Sequence, residues 1–443
     1  MATRLRAEPR QLARFCAGLS SLGALLIAAG GEAAEPDPPP RPPACRELES
    51  GADLGQELRA LPGGGALCLA PGAYDGPLRI GSRRTIWGPR SAVIRSRGEG
   101  TTVELAGEGA ALLGVSVDGS GGRFDLLDAA VAVRADDARV EGIEVRNALF
   151  GLLAEQASRV VLRGNRIVGD PASPLGMRGD GVRIWEVRQS RIEHNQLEDS
   201  RDMVVWYASG NRIAGNSVAR GRYGTHLMYS HDNELEDNRY DSNVVGVFIM
   251  YSRNVVLRRN QLLRSSGAAG MGIGLKESGN ILAEANLFAG NQVCVYTDTS
   301  PLSLDETNRF EGNWFRSCGT AVVFHGGAER NQFIGNSFRD NAAHVRVEGR
   351  GDAQQASWRG NDFDDYAGYD LDGDGVGDLP YELRSLSGDL TGRHPSLAFF
   401  QGAPAMTLVE LVGRVVPLFR PTTLLIDSEP RMRPHDLHLA DES

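Results

Sequence analysis

Five stretches of sequence decide the fold, because each repeats the same alternation of apolar and other side chains. They read GDGVRIWEV (179–187), SRDMVVWYAS (200–209), RYGTHLMYS (222–230), VGVFIMYS (245–252) and GMGIGLKES (270–278). Aligned, they give inward columns of Val182, Met203, Thr225, Val247 and Ile273, and of Ile184, Val205, Leu227, Ile249 and Leu275. A period of two is typical of strands, and side chains of this kind suit a buried face. The stretches therefore predict parallel strands stacked on one another.

A recurring asparagine sets the length of the repeat. Each Asn is followed two residues later by an apolar side chain, at Asn165, Asn195, Asn216, Asn238, Asn260, Asn286, Asn313, Asn336 and Asn361. At a turn, an amide can satisfy backbone groups or stack on its equivalent one coil away. We therefore predict an all-β chain, a right-handed parallel β-helix with coils of about 22–25 residues and a small C-terminal helical or irregular cap.

The pattern divides the chain into five parts. They are a signal peptide (1–34), an N-terminal linker and cap (35–90), the β-helix repeats (91–362), an acidic loop region (363–395), and a C-terminal helical segment with a tail (396–443). The first part has an arginine-rich start and a short apolar stretch, as a secretory signal does; a retained membrane anchor is the alternative. Export permits disulfides. Cys45 and Cys68 are the favoured pair, while Cys294 and Cys318 can be free.

Composition narrows the class of protein. The formal net charge is −10 and the chain has 55 glycines with 7% aromatic residues. Many glycines and few aromatic residues suit a structure rich in turns and disfavour a helical bundle. A nucleic-acid partner is excluded as a first hypothesis, because it requires a basic surface.

The outward positions of the same strands form an unusual apolar surface. One column reads Arg183, Val204, His226, Phe248 and Gly274, and the next reads Trp185, Trp206, Met228, Met250 and Lys276, extended to Tyr296 and Phe324. Large exposed apolar patches mark contact sites. We interpret Trp185, Trp206, Phe248 and Lys276 as a partner-binding surface; the alternative is that a loop or the C-terminal segment covers this face.

Three soft donors lie within these columns. His226 and Met228 are two residues apart on one strand and point the same way, and Met250 lies one coil further, about 4.8 Å away. Thioether and imidazole ligands favour Cu(I). The hypothesis is a transient copper site; the alternative is that the methionines only fill gaps against a packed partner.

An acidic loop and an apolar segment follow the repeats. Asp370, Asp372, Asp374 and Asp378 resemble the start of an EF-hand calcium loop, although the twelfth position is Tyr381 rather than Glu. The hypothesis is a structural calcium site; the alternative is an acidic turn without an ion. Residues 403–416 carry apolar side chains at helical spacing. This segment either caps the β-helix, which we favour, or reaches toward a membrane partner.

An enzymatic function is not expected. Carbohydrate-active β-helix enzymes need carboxylates or basic groups clustered in a groove. Asp180 and Asp202 lie near coil corners and His325 is isolated, so none of them indicates a catalytic site. A lyase, hydrolase or epimerase of an acidic polysaccharide is the alternative function.

The five stretches also resemble the NosD family, the periplasmic maturation proteins of nitrous oxide reductase. So do DDYAGYDLDGDGVGDLPYEL (364–383) and HPSLAFFQGAPAMTLVELVGRVVPLF (394–419). The resemblance implies a periplasmic location and work beside an ABC transporter made of an ATPase and a permease, which supplies the only membrane contact. It also implies a copper chaperone lipoprotein as a partner, and delivery of copper to the copper–sulfur centre of nitrous oxide reductase.

Overall fold

Nearly all regular structure lies in three parallel sheets that wind around one core. The computed structural model describes residues 38–348, 353–385, 390, 394–400, 403–415 and 423–434. The predicted signal peptide, 1–34, lies outside the described residues. Each coil contributes one strand to each sheet in turn, and every strand pairs in parallel with the equivalent strand of the next coil. The chain is therefore an all-β parallel solenoid of about 14 turns with about 23 residues per turn, as predicted.

The strands of each sheet follow one another along the solenoid axis. The first sheet contains Arg46–Leu48, Ala66–Leu69, Thr85–Trp87, Ala111–Leu113, Arg139–Glu141, Val161–Arg163, Arg191–Glu193, Arg212–Ala214, Glu234–Glu236, Val256–Arg258, Leu282–Glu284, Asn308–Glu311, Asn331–Ile334 and Ser357–Arg359. The second sheet contains Gly72–Asp75, Ala92–Arg95, Ser116–Asp118, Glu144–Arg146, Arg166–Val168, Gln196–Glu198, Ser217–Ala219, Arg239–Asp241, Gln261–Leu263, Leu287–Ala289, Trp314–Arg316, Ser337–Arg339 and Asp362–Phe363. The third sheet contains Leu78–Ile80, Val103–Leu105, Ala129–Val133, Phe150–Glu155, Val182–Trp185, Asp202–Trp206, Tyr223–Met228, Val245–Met250, Met271–Lys276, Val293–Asp298, Thr320–His325 and Val345–Glu348.

The first coils begin earlier than the sequence indicated. Strands of all three sheets occur between Arg46 and Arg95, so residues 46–90, which we expected to be part of the linker and cap (35–90), already belong to the solenoid. The short helix α1 (Leu54–Ala60) buries Leu54 and Leu58 in the core at this end. These coils lack the asparagine marker, which is why the repeat was not recognised there.

Asparagine ladders hold successive coils together. The side-chain Nδ2 of each marker Asn donates to Oδ1 of the next, for example from Asn238 to Asn260 at 3.0 Å. The same Nδ2 also donates to a carbonyl of the core strand, as Asn238 does to Ile213 at 2.8 Å. Buried amides must be hydrogen-bonded to avoid a large desolvation cost. The predicted role of the marker, stacking on its neighbour and bonding to the backbone, is confirmed.

Two disulfides join neighbouring coils. Cys45 bonds to Cys68 as predicted, and Cys294 bonds to Cys318, so the latter two are not free. The alignment gave no sign of the second pair, because its cysteines sit at different points of their coils. Each loop closed in this way is worth about 3 kcal/mol in the chain-entropy account.

A two-stranded antiparallel sheet covers the C-terminal end of the solenoid core. The strands Tyr381–Arg384 and Thr423–Asp427 pair antiparallel, and the Tyr381 ring stacks on Phe363 with centroids 3.9 Å apart. The Asp427 carboxylate accepts from the Asn361 side chain at 2.8 Å and so ends the main asparagine ladder. A 3-10 helix (Pro395–Phe400) and helix α2 (Pro404–Val415) lie between these strands in sequence. Helix α2 is confirmed as a helix, and its Leu408 is 60% exposed. That this segment caps the β-helix stays a prediction.

At the same end, a buried histidine pairs with two exposed carboxylates. Nε2 of His344 lies 3.3 Å from a carboxylate oxygen of both Asp364 and Asp365, and the Tyr381 hydroxyl donates to Asp365 at 2.8 Å. Burial by itself lowers the pKa of His344, but the hydrogen bonds to the two carboxylates outweigh it and raise the pKa to about 9. The imidazolium is therefore the form that the native state stabilises.

The substitution His344→Gln is expected to destabilise the protein in a pH-dependent way. The folded pKa lies above the ordinary value of 6.5, so the stabilisation is complete below pH 6.5 and is lost as the pH rises through about 9. At pH 6 the expected loss is about 3 kcal/mol of unfolding free energy. Denaturant unfolding of both proteins at pH 6 and pH 10 measures it. An equal difference at the two pH values would contradict the assignment.

Candidate functional site

The third sheet places the two predicted outward columns in register. Arg183, Val204, His226, Phe248 and Gly274 pair in succession, and so do Trp185, Trp206, Met228, Met250 and Lys276. The extension of the second column was wrong. Tyr296 pairs with Gly274 in the first column, Asp298 follows Lys276, and Phe324 points inward with no exposure. A shift of one residue reverses the face of a strand, which explains the error at Phe324.

His226 lies in an aromatic enclosure on this outer face. It belongs to the strand Tyr223–Met228 and is 7% exposed. The rings of Trp206, Tyr223 and Phe248 surround the imidazole, with centroids 5.6, 4.9 and 5.9 Å from it. The imidazole Nε2 is 3.3 Å from Sδ of Met250, and Nδ1 is 3.4 Å from the indole Nε1 of Trp206. Sequence reasoning placed His226 on a surface; the structure encloses it.

The enclosure keeps the imidazole neutral. Burial, opposed in part by the charge of Asp202 and reinforced by the positive charge of Arg222, lowers the pKa of His226 to about 4. The ring is therefore uncharged at neutral pH. A neutral imidazole is the form that binds a metal ion.

The methionines border the same enclosure. Met228 pairs directly with Met250, and both are half-buried on the outer face. The structure thus brings His226 into contact with Met250 and places Met228 next to that pair. A third thioether was missed: Sδ of Met271 would lie 3.3 Å from a Cβ added at Gly274, beside the Phe248 ring. Met271 is the first residue of its strand and lies three residues before Gly274, the residue that the alignment placed in the outward column.

Buried ion pairs support the aromatic rings. Asp180 is fully buried and lies 2.8 Å from Arg201 and 3.6 Å from Arg183. Arg222 pairs with Asp202. The guanidinium of Arg183 lies 4.7 Å from the centre of the Trp206 ring, and that of Arg222 lies 4.5 Å from the centre of Tyr223. These contacts hold the Trp206 and Tyr223 rings in place. The sequence placed Asp180 and Asp202 near coil corners and did not predict this role.

The carboxylates of this network, Asp180 and Asp202, are both buried. Burial, reinforced by the charge of Asp202, raises the pKa of Asp180 to about 6 against the opposing effect of Arg201. Asp180 is 0% exposed and Asp202 is 2% exposed. A catalytic carboxylate must reach its substrate. The pair is therefore better suited to holding arginines than to general acid–base chemistry.

A ladder of stacked tyrosines lies where three strands of the third sheet end. Tyr207, Tyr229 and Tyr251 stack with centroids 5.3 and 4.9 Å apart, and the first two are 47% and 42% exposed. Each directly follows Trp206, Met228 or Met250, so the repeated Tyr in WYAS, MYS and MYS was the available signal. Tyrosine is common at the centres of protein interfaces. The predicted docking surface therefore gains a second aromatic row.

The C-terminal part of the outer face is polar. Lys276 pairs with Asp298 at 3.7 Å, and His325 lies 3.3 Å from Glu348 and stacks on Tyr296. The sequence suggested that His325 is isolated, and this was wrong, because Glu348 and Tyr296 both contact it. Burial and the nearby Glu348 raise the pKa of Tyr296 to about 12, so this hydroxyl stays protonated. Along the outward columns, aromatic and thioether side chains therefore give way to ion-paired side chains from Lys276 onward.

The acidic loop has a compact hydrogen-bonded form. Oxygens of Asp370, Asp372 and Asp374 lie within 4.8 Å of one another. Asp370 accepts from the backbone N–H of Gly373 and Gly375, and Asp378 accepts from that of Leu371. Among the described residues, this group and the His344, Asp364 and Asp365 cluster are the sets of three His, Cys, Asp or Glu residues that could hold a metal ion.

The fold and the site define a parallel β-solenoid that carries a cluster of soft metal donors on one outer face. The profile of a family described as "Periplasmic copper-binding protein (NosD)" matches residues 158–368. Proteins of Pseudomonas aeruginosa and Stutzerimonas stutzeri, both named "Probable ABC transporter binding protein NosD", are 28% and 25% identical to this chain. Over these residues the chain is similar to the NosD family, a family of periplasmic proteins.

The similarity to these relatives extends over most of each protein. The first match covers 86% of this chain and 90% of the relative, and the second covers 82% and 86%. Solved structures share the fold alone. The catalytic domain of a GH87 alpha-1,3-glucanase is 12% identical, with a TM-score of 0.53 over 72% of this chain and 71% of that chain. The enzyme from Streptomyces thermodiastaticus is 15% identical, with a TM-score of 0.51 over 74% and 65%.

Among the helices that the structure describes, none combines the length and the apolar character needed to cross a bilayer.

Proposed function

We propose that this protein is a periplasmic accessory protein of an ABC transporter complex that receives copper as Cu(I) and hands it over. The acceptor is the copper–sulfur centre of nitrous oxide reductase during its assembly. The observation that carries the proposal is the 3.3 Å contact between His226 Nε2 and Met250 Sδ inside the aromatic enclosure. Met228, adjacent to Met250, is the third donor.

The chemistry of the donors selects a soft monovalent ion. Thioether sulfur and neutral imidazole bind Cu(I), whereas calcium and magnesium require oxygen ligands. Cys45, Cys68, Cys294 and Cys318 are oxidised to disulfides, so these thiols do not compete for the metal. The half-buried aromatic rings also shield the His226 imidazole from most of the solvent. We treat copper as cargo, since two thioethers at a half-exposed face hold it less firmly than thiolates would.

The proposed partners follow from the family and from the exposed surfaces. The relatives are named as ABC transporter binding proteins, which supports a permease and an ATPase as the complex. Trp185, Trp206, Phe248 and Lys276, with the tyrosine ladder, form the proposed docking face for the copper chaperone lipoprotein and for the reductase. Phe399 and Leu408 are 88% and 60% exposed near helix α2 and offer a separate apolar contact for the permease.

A copper titration tests the proposal. The mature chain is titrated with Cu(I) without oxygen, in competition with a coloured Cu(I) chelator, and one equivalent is expected to bind. The loaded protein should then pass its copper to the apo reductase. Failure of the mature chain to bind Cu(I) above the level of the disulfide-bonded, denatured chain would remove the proposal.

The carbohydrate-active alternative has one observation in its favour. A groove of about 540 Å³ is lined in part by Asp170, Arg178 and Asp180. However, Arg178 is occupied by four backbone carbonyls, and Asp180 is buried under Arg201 and Arg183. We therefore propose no enzymatic activity. Turnover of an acidic polysaccharide by the purified protein would reverse that choice.

The acidic loop is proposed as a structural calcium site with Asp370, Asp372, Asp374 and Asp378 as ligands. Several carboxylates close together repel one another unless a cation neutralises them. Addition of 1,2-bis(2-aminophenoxy)ethane tetraacetate, a calcium chelator, is expected to lower the melting temperature, and added Ca²⁺ should restore it. The variant Asp372→Asn should respond less. A melting temperature unaffected by either addition would leave an acidic turn without an ion.

A further inference from the structure

The hydrogen bonds of His226 fix where the proton of its ring lies. An indole N–H can only donate, so the 3.4 Å contact from Trp206 Nε1 makes Nδ1 of His226 an acceptor. A neutral imidazole with an accepting Nδ1 carries its proton on Nε2. That N–H points at Sδ of Met250, 3.3 Å away. Trp206 and Met250 therefore close a complete hydrogen-bonded arrangement around the imidazole.

This arrangement opposes metal binding. A metal ion at Nε2 needs the lone pair of that nitrogen, so the proton must leave Nε2 for solvent while Nδ1 takes one up. The ring stays neutral and no net proton is released. The new Nδ1–H would then face the indole N–H, and two donors cannot share that contact. A metal ion at Nδ1 would displace the indole directly. In either case the Trp206–His226 hydrogen bond must break.

The indole is also connected to the outer face. Trp206 is half-buried between Trp185 and Met228 in its column, and the guanidinium of Arg183 lies 4.7 Å from the centre of its ring. Arg183 in turn lies 3.6 Å from Asp180. Movement of the indole therefore changes the position of an aromatic ring and of a positive charge on the surface that partners are proposed to contact.

We propose that Trp206 is a positioning residue that holds His226 in the tautomer unable to bind metal at Nε2 and moves away when the metal is captured. The docking face thus differs between the loaded and the empty protein. This inference rests on the proposed copper function. We call the Trp206–His226 hydrogen bond the latch. Breaking one hydrogen bond between neutral groups costs up to about 1.4 kcal/mol, so the latch lowers the affinity for metal by about tenfold.

Silver(I), a redox-inert ion with the same soft ligand preference, is the probe. The mature protein is labelled with 5-fluorotryptophan and titrated with Ag(I), and the ¹⁹F resonance of Trp206 is identified from the variant Trp206→Phe. The resonance is expected to shift on binding, and Trp206→Phe should bind Ag(I) about tenfold more tightly because it keeps a ring but lacks the donor. The control is Trp314→Phe in the second sheet, which should keep the parent affinity. Nitrogen-15 spectra of the metal-free protein should show His226 protonated on Nε2.

The outcomes separate this inference from the proposed function. If the parent binds Ag(I) while Trp206→Phe binds with equal or lower affinity, the latch is wrong and the metal site remains. A metal-free His226 protonated on Nδ1 would also overturn the latch. If neither protein binds Ag(I) or Cu(I), both the latch and the proposed function fail. Binding by Trp206→Phe alone would support a latch stronger than estimated.

Discussion

The substitution Asn260→Ala is expected to lower the free energy of unfolding by about 4 kcal/mol. The Asn260 side chain is fully buried and makes four hydrogen bonds: Oδ1 accepts from the backbone and the side chain of Asn238, and Nδ2 donates to Leu235 O and Asn286 Oδ1. Alanine leaves each of these partners without its bond in a region that water does not reach. An unsatisfied buried group costs about 1–3 kcal/mol, and the structure can relax only partly around the cavity.

An exposed asparagine provides the matched control. Asn254 donates to Asp232 at 2.9 Å and accepts from Asn280 at 3.2 Å, so it also bridges coils, but it lies in solvent with a φ of 55°. Asn254→Gly removes the same amide at a position where glycine is unstrained, and should cost under about 1 kcal/mol. Urea unfolding followed by circular dichroism compares the variants. Equal losses for the two would show that burial of the ladder adds nothing to the stability of the solenoid.

The loss of stability caused by Asn260→Ala should fall mainly on the coils next to Asn260. Each coil of a solenoid contacts only its neighbours, so stability is approximately a sum of coil terms and interface terms. Removing one interface in the middle of the ladder weakens the coupling between the two halves. We therefore expect a broader unfolding transition for Asn260→Ala than for the parent. The terminal coil is protected differently, because Asp427 accepts from both the backbone and the side chain of Asn361.

The repeat could be predicted from sequence because its signals are local and periodic. The marker residue Asn238 and the apolar Tyr240 that follows it occupy fixed places in a coil, and the structure buries both. The outward columns followed from the same alignment. The first coils, from Arg46, were missed because their short strands lack the marker. The pairing of Cys294 with Cys318 was missed because a disulfide depends on distance in space, which the alignment of strands did not provide.

The candidate site was predictable in its donors but not in its surroundings. The spacing of His226, Met228 and Met250 gave the shared face. It could not show that Trp206, Tyr223 and Phe248 enclose the imidazole, because ring orientation depends on packing between three coils. Asp180 was dismissed for the same reason: its position near a corner was visible in the sequence, whereas its burial beneath arginines was not.

The largest functional effect is expected from His226→Gln and Met250→Leu, each of which should weaken Cu(I) binding by about 100-fold or more. Removing groups that only orient a ligand costs 10–100-fold, so removing a ligand should cost at least as much. Leucine keeps most of the methionine volume, so folding should be nearly unaffected. Met228→Leu should cost less, about tenfold, because the observed contact joins His226 to Met250 alone. Anaerobic competition titrations against a coloured Cu(I) chelator measure all three.

Two control variants distinguish ligand loss from a general loss of soft or imidazole groups. Met177→Leu removes an exposed thioether from the loop before the strand Val182–Trp185, and His325→Gln removes an imidazole from the same sheet face, where it contacts Glu348. Both should keep the parent affinity. If His226→Gln and Met250→Leu keep it too while their unfolding midpoints are unchanged, the copper ligands lie elsewhere and the aromatic enclosure serves docking alone. If all five variants lose affinity to the same degree, binding is distributed over the surface and no defined site exists. Selective loss at His226 and Met250 is the result that the geometry of the enclosure requires, because these two donors alone are already in contact there.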